Sequence, residues 1–227
     1  MHNFLFGIYP YIALSVLFLG SIVRYERDPF TWKSSSSQLL RRKQLVMGSV
    51  LFHVGVLIIF LGHFFGLLVP LGLYEALGVG HTFKQLLAMV AGGAAGVFAL
   101  AGISMLLHRR LTDARIRVTS SFADIAILVL LLAQLLLGMG TIPISAQHLD
   151  GGEMVTFMAW ANGIITFDLD ASSHIEHAHW IFKTHLFLGL TIFLVFPFTR
   201  LVHMLSAPVR FVFRPGYQIV RSRRVSR

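Results

Sequence analysis

Five long apolar blocks, each close to or beyond the length needed to cross a bilayer, constrain this sequence more than anything else in it. They cover residues 4–23, 46–69, 85–107, 122–144 and 180–204, and charge or a Gly/Pro break bounds each one. A bilayer's hydrocarbon core is about 30 Å thick, so a helix rising about 1.5 Å per residue needs roughly 20 residues to span it. Lipid offers no water to pair with backbone N–H and C=O groups, so blocks of this length must be helices. Five apolar helices in a chain of 227 residues would leave a water-soluble fold almost nothing with which to cover them. The expected fold class is an all-α integral membrane protein with five transmembrane helices. Only 13% of residues are charged, against roughly a quarter in soluble domains.

The charges also give a sidedness. Arg24, Arg27, Lys33, Arg41, Arg42 and Lys43 lie between the first two blocks, and Arg109, Arg110, Arg115 and Arg117 between the third and fourth. Arg200, Arg210, Arg214, Arg221, Arg223, Arg224 and Arg227 lie at the end. The alternate connections carry Lys84 and Lys183 alone, and the long one holds Asp150, Glu153, Asp168, Asp170 and Glu176. Cytoplasmic loops carry the excess of Lys and Arg, so the N-terminus is expected outside and the C-terminus in the cytoplasm. The first block has no Lys or Arg before Arg24, so it lacks the basic start of a cleaved signal peptide and reads as a retained helix. Basic residues beside spans point to lipid or a cytoplasmic partner for the tail 205–227, and not to nucleic acid. Residues 1–227 read as one domain without internal repeats, with a short helix near 152–163 in the outer connection 145–179.

There is no cysteine, which excludes thiolate-held iron–sulfur clusters, Cys-x-x-Cys-His haem attachment and disulfides. Any cofactor is then held by histidine, by packing or by polar contacts. His53 and His63 lie in the second block, LFHVGVLIIFLGHFFG, and His185 and His203 in KTHLFLGLTIFLVFPFTRLVH. Ionisable side chains within a span are costly and usually face the bundle interior. A single such histidine reads equally well as a hydrogen-bonded interior residue; two pairs on two helices of opposite direction are harder to explain that way. Ten residues separate His53 and His63 by about 15 Å along a helix with an angular offset of about 80°. Eighteen residues are five turns, so on one continuous helix His185 and His203 would share a face about 27 Å apart. Opposite directions then set His63 against His185 near the outer surface and His53 against His203 near the inner one. The axial separations disagree by about 12 Å, which tilt and a kink at Pro197 would have to absorb. Gly62 and Gly189 are small residues beside these histidines, where a porphyrin can come close.

A haem with two histidine ligands has no open position, so it carries electrons and does not bind oxygen. Two of them across a bilayer form an electron wire, and a quinol is the donor available in a membrane. Gly92 and Gly96 form a small-xxx-small pair suited to close helix packing. His174, Glu176, His177 and His179 have the residue types of a zinc site, although a solvated loop is the simpler reading. His148 reads as a loop-fixing hydrogen-bond partner. A haem-free anchor or a transporter using the histidines for protons is the contrasting class.

The stretches IYPYIA, FHVGVLIIFLGHFFG, KQLLAMVAGGAAGV, TIPISAQHLDG and LVFPFTRLVH resemble the gamma subunit of respiratory nitrate reductase, a membrane di-haem cytochrome b, over nearly the whole chain. The resemblance implies two haem b groups, with His53 and His203 on the inner iron and His63 and His185 on the outer one. It implies quinol oxidation near the outer haem, with Lys84 and Gly66 beside His63 at the quinol. It also implies electron delivery to an iron–sulfur (beta) subunit and then a molybdenum (alpha) subunit on the cytoplasmic side of a prokaryotic inner membrane. The connection 70–83 matches the family less well. Arg109, Arg110 and Arg200, at the inner ends of spans, are candidates to pair with haem propionates; positive-inside charge is the plainer account of them. A related quinol-oxidising cytochrome serving a sulfur-metabolism or heterodisulfide-type reductase is the nearest rival.

Overall fold

The computed structural model describes residues 1–32 and 40–206. A π-helical turn, Phe4–Ile8, runs into helix α1, Tyr9–Arg27. Pro10 follows directly on the π-helical turn within one continuous helical run, where its missing N–H interrupts the regular ladder. Helix α2, Arg42–His63, continues as a second π-helical turn, Phe64–Leu68, and is followed by the short α3, Leu71–Ala76. Helix α4, His81–Thr112, is the longest, and α5, Ala114–Val118, follows it. Helix α6, Phe122–Ser145, opens on a capping box in which Ser121 and Asp124 satisfy each other's backbone N–H. Helix α7, Gly152–Ile165, and a 3₁₀ turn, Ala171–Ile175, form the connection to α8, Trp180–Val195.

Among the described residues, five helical stretches are long and apolar enough to cross a membrane: Phe4–Arg27, Arg42–Leu68, His81–Thr112, Phe122–Ser145 and Trp180–Phe198. These match the five expected blocks, and α7 matches the short helix expected near 152–163. The fifth span departs from expectation. The expectation is a span to residue 204 kinked at Pro197; α8 instead ends at Val195. A 3₁₀ turn, Phe196–Phe198, follows; Thr199 is extended at φ −118° and ψ 179°, and a further 3₁₀ segment covers Arg200–Ser206. Pro197 explains the break, because it lacks an N–H and its ring collides with the preceding turn. Of the tail 205–227, the residues beyond 206 lie outside the described ones.

The second to fifth spanning helices pack in chain order, and the first lies against the fifth. Helix α2 lies beside α4, α4 beside α6, α6 beside α8, and α8 beside α1. The tightest seam joins α2 to α4. A Cβ on Gly55 would lie 2.5 Å from the Ala95 carbonyl oxygen and 2.6 Å from the Ala99 nitrogen, and one on Gly48 would lie 3.2 Å from the Gly102 carbonyl oxygen. Backbones this close use small residues on both sides, as membrane helices do when van der Waals contact drives association. The expected pair Gly92 and Gly96 is not this seam: a Cβ on Gly92 would meet nothing within 4 Å, and Gly96 makes room for the Met139 sulfur. Two apolar clusters hold the ends. Phe6, Ala13, Trp160, Ile164, Ile175 and Leu190 bind the α7 connection to α1 and α8, with Trp160 Nε1 donating to the Phe6 carbonyl at 2.9 Å. Ile127, Ile192, Phe196, Leu201 and Val202 pack the broken end of α8 against α6.

Candidate functional site

Helices α2 and α8 are not packed neighbours, yet their histidines face each other in two pairs. The His63 and His185 ring centroids are 6.1 Å apart, with the rings tilted by 46°. Those of His53 and His203 are 6.2 Å apart at 71°. Two imidazoles that each give one nitrogen to a shared metal at about 2 Å hold their ring centres roughly 6 Å apart. His53 and His63 face their partners and are nonetheless exposed, so open space lies beside the rings. A Cβ on Gly62 would meet nothing within 4 Å, so the flank of His63 is open too. Among the described residues no three His, Cys, Asp or Glu side chains gather as a metal site. A bare ion would therefore have two protein ligands, whereas a porphyrin brings four nitrogens and needs only the two axial ones. The residues present fit such a group.

Three of the rings are fixed from behind. His53 Nδ1 lies 2.7 Å from the Ser49 carbonyl oxygen, His63 Nδ1 lies 2.9 Å from that of Ile59, and His203 Nδ1 lies 2.5 Å from that of Arg200. Donation from Nδ1 leaves Nε2 unprotonated and free to ligate. His185 differs. Its Nε2 lies 3.4 Å from Gln134 Nε2, and its Nδ1 is buried without a hydrogen-bond partner. Gly138 lets the ring lie against α6, where a Cβ would come within 3.0 Å of its Cε1. Gly189, expected to admit a porphyrin, instead makes room for Gln134, whose Nε2 would lie 3.1 Å from a Cβ there.

The break after α8 removes the 12 Å mismatch in axial spacing expected from unbroken helices. His203 lies on the separate 3₁₀ segment, so the five-turn phase relation to His185 does not hold. The register comes from the break.

Beyond His63, the π-helical turn Phe64–Leu68 carries Gly66, where a Cβ would meet nothing within 4 Å. The carbonyls on either side of Gly66 are engaged. Tyr74 donates its hydroxyl to Phe65 O at 2.6 Å, and Asn162 Nδ2 donates to Leu67 O at 3.0 Å. Lys84 is 8% exposed. Its Nζ lies 3.6 Å from the Tyr74 ring centroid and 2.8 Å from the Met158 sulfur. An aromatic face and a thioether are weak partners for an ammonium in so dry a place. At the other end, Arg110 Nη1 and Arg200 Nη1 each lie 3.6 Å from an Asp124 carboxylate oxygen, and Arg110 also donates to Ser120 Oγ at 2.8 Å. Arg109 is buried and donates to the Leu40 carbonyl.

The nitrate reductase gamma subunit family model matches residues 2–223. The chain belongs to the nitrate reductase gamma subunit family. It is 50% identical to the respiratory nitrate reductase 1 gamma chain of Escherichia coli (strain K12), covering 98% of each chain. It is 51% identical to the nitrate reductase 2 gamma chain of the same organism, over 99% of this chain and 98% of the relative. Against the nitrate reductase gamma chain of Bacillus subtilis (strain 168) the identity is 40%, over 96% and 97%. This gamma-subunit chain is accordingly a membrane component of a respiratory nitrate reductase.

Several residues that shape the site escaped the sequence reading. Gln134 is a lone amide in an apolar span, and a polar residue there is itself a signal. Asp124 was visible as the third residue after Ser121 in a capping box. Tyr74, Met158 and Gly138 left no trace in the pattern, since each matters only through a distant neighbour. The zinc reading of the outer loop gains no support: His179 caps α8, its Nδ1 accepting from the Ile181 N–H at 3.4 Å. The contact at His148 is made by its backbone, whose carbonyl accepts from Gln85 Nε2 at 2.9 Å.

Proposed function

We propose that this gamma subunit is a quinol-oxidising cytochrome that binds two haem b groups, one between His63 and His185 and one between His53 and His203. The observation that carries the reading is the pair of ring separations, 6.1 and 6.2 Å, both suited to one shared iron. When bound, haems with two histidine ligands supply one-electron carriers with no open coordination position. The protein's part is to hold the rings. Ser49, Ile59 and Arg200 carbonyls fix three of them, and a soft terminal torsion lets His185 turn from Gln134 toward His63. Arg110 and Arg200 are suited to pair with propionates at the His53/His203 end, sharing their charge with Asp124, and Arg109 precedes Arg110 in sequence.

The quinol belongs at the other end, near His63, Gly66 and Lys84. Oxidation turns its hydroxyls into carbonyls and releases protons as electrons leave, so its oxygens pass through a more negative state. The Lys84 ammonium, beside the Tyr74 ring and the Met158 sulfur, is suited to hold such an oxygen and stabilise that charge. Gly66 leaves room for the headgroup. By the distribution of Lys and Arg, this end faces outward in a prokaryotic inner membrane. The N-terminus is then outside, and the basic ends and C-terminus face the cytoplasm. Electrons leave there for an iron–sulfur subunit and then a molybdenum subunit, which carries out nitrate reduction.

A pyridine haemochrome assay on the purified complex tests the reading, after subtracting haem from other subunits. About two non-covalent haems per gamma chain are expected. None, or haem that resists acid–acetone extraction, would refute it in favour of an anchor or a different cofactor.

A further inference from the structure

At the break between α8 and the His203 segment, one arginine donates to two backbone carbonyls. Arg24 Nη1 donates to the Pro197 carbonyl at 2.6 Å and to the Thr199 carbonyl at 2.8 Å. The two acceptors lie on either side of Phe198 and bracket the point where the chain turns extended. Pro197 and Thr199 are themselves buried. An unpaired carbonyl at such a place carries a desolvation cost. Arg24 is in turn held: its Nη2 donates to the Thr31 carbonyl at 2.9 Å and its Nε to Thr31 Oγ1 at 3.4 Å. One turn earlier on the same face of α1, Gly20 makes room for the proline. A Cβ there would lie 2.9 Å from Pro197 Cγ. Helix α1 thus offers a gap for the ring and a fork for the carbonyls at an i, i+4 spacing.

We propose that Arg24 is a positioning residue for His203. By fixing the peptide geometry from Pro197 to Thr199, it sets where the 3₁₀ segment Arg200–Ser206 begins and so where the His203 ring meets His53. The proposal rests on the reading that His53 and His203 share one haem. His185 lies inside a regular helix and needs no such device. A planar guanidinium can serve two acceptors at once, which an ammonium on a flexible stem does less well.

The test compares Arg24→Ala, Arg24→Lys and Gly20→Val in the assembled complex with the parent, reading haem content, low-temperature absorption and redox titration of each haem. Arg24→Ala is expected to lose most of the His53/His203 haem, or to shift its band and midpoint, while the His63/His185 haem keeps its content, band and midpoint. Arg24→Lys should fall between Ala and the parent, and Gly20→Val should disturb the same haem without a change of charge. Unaltered spectra and midpoints in all three variants, or parallel loss of both haems, would overturn the proposal. If the Ala chain does not accumulate in membranes, Arg24→Lys decides: a shift confined to the His53/His203 haem upholds it, and no shift overturns it. A parent complex without two bis-histidine haems would remove the underlying reading before any variant is compared.

Discussion

The two histidine pairs reach nearly the same ring separation by different means. His63 and His185 stand on two regular helices, α2 and α8, but one ring is loosely directed: His185 Nε2 lies near Gln134 and its Nδ1 has no partner. In the other pair both rings are fixed through Nδ1 to backbone carbonyls, yet one of them sits beyond a broken helix. The first pair has an ordered scaffold and an adjustable ring. The second has fixed rings and a scaffold that must be held at Pro197–Thr199. Where regular helices bring side chains together, the ring can remain free to turn. Where they do not, backbone hydrogen bonds must supply the register.

The largest effect expected is complete loss of a haem. His185→Ala and His63→Ala should each remove one haem, and His203→Ala and His53→Ala should each remove the other. Low-temperature reduced spectra identify which is missing, and loss of spectrally different haems from His63 and His185 variants would break the pairing. Next comes Lys84→Ala, which touches only the end near His63. Both haems should remain bound and reducible by dithionite, while quinol reduces them slower by about a hundredfold, as when one charge-stabilising donor is removed. Reduction by quinol at the parent rate would move the quinol site elsewhere.

Gly138→Val sharpens the comparison at the regular pair. The new side chain enters a space where a Cβ alone comes within 3.0 Å of the His185 ring, and overpacking of this kind costs about 1–3 kcal/mol. Haem retention during extraction should fall for the His63/His185 site alone. The smallest effect is expected from Gln134→Leu, which removes the polar neighbour of His185. A neutral hydrogen bond is worth about 1 kcal/mol, so the haem should stay and its midpoint shift slightly. An equal shift at the His53/His203 haem would show that the two sites are not independently built.

Five spans, the break-prone Pro197 and the two histidine pairs were legible in the sequence, because each depends on local composition or on helical period. A bilayer turns apolar length into helices, and opposed helix directions turn residue order into depth, which sets His63 level with His185 and His53 level with His203. The sequence could not say that α2 packs on α4 through Gly48, Gly55 and Gly102 while α1 packs on α8. Neighbours in lipid are chosen by close backbone fit, and every face is apolar enough to try. Nor could it give the register of His203. Periodicity assumes an unbroken helix, whereas the position of that ring follows from an extended Thr199 and from Arg24, about 175 residues earlier in the chain. Local sequence determined which elements form and at what level each histidine ring lies. Contacts between residues far apart in the chain decided whether the rings meet, because only the folded bundle brings the Arg24 donor on α1 to the Pro197 and Thr199 carbonyls.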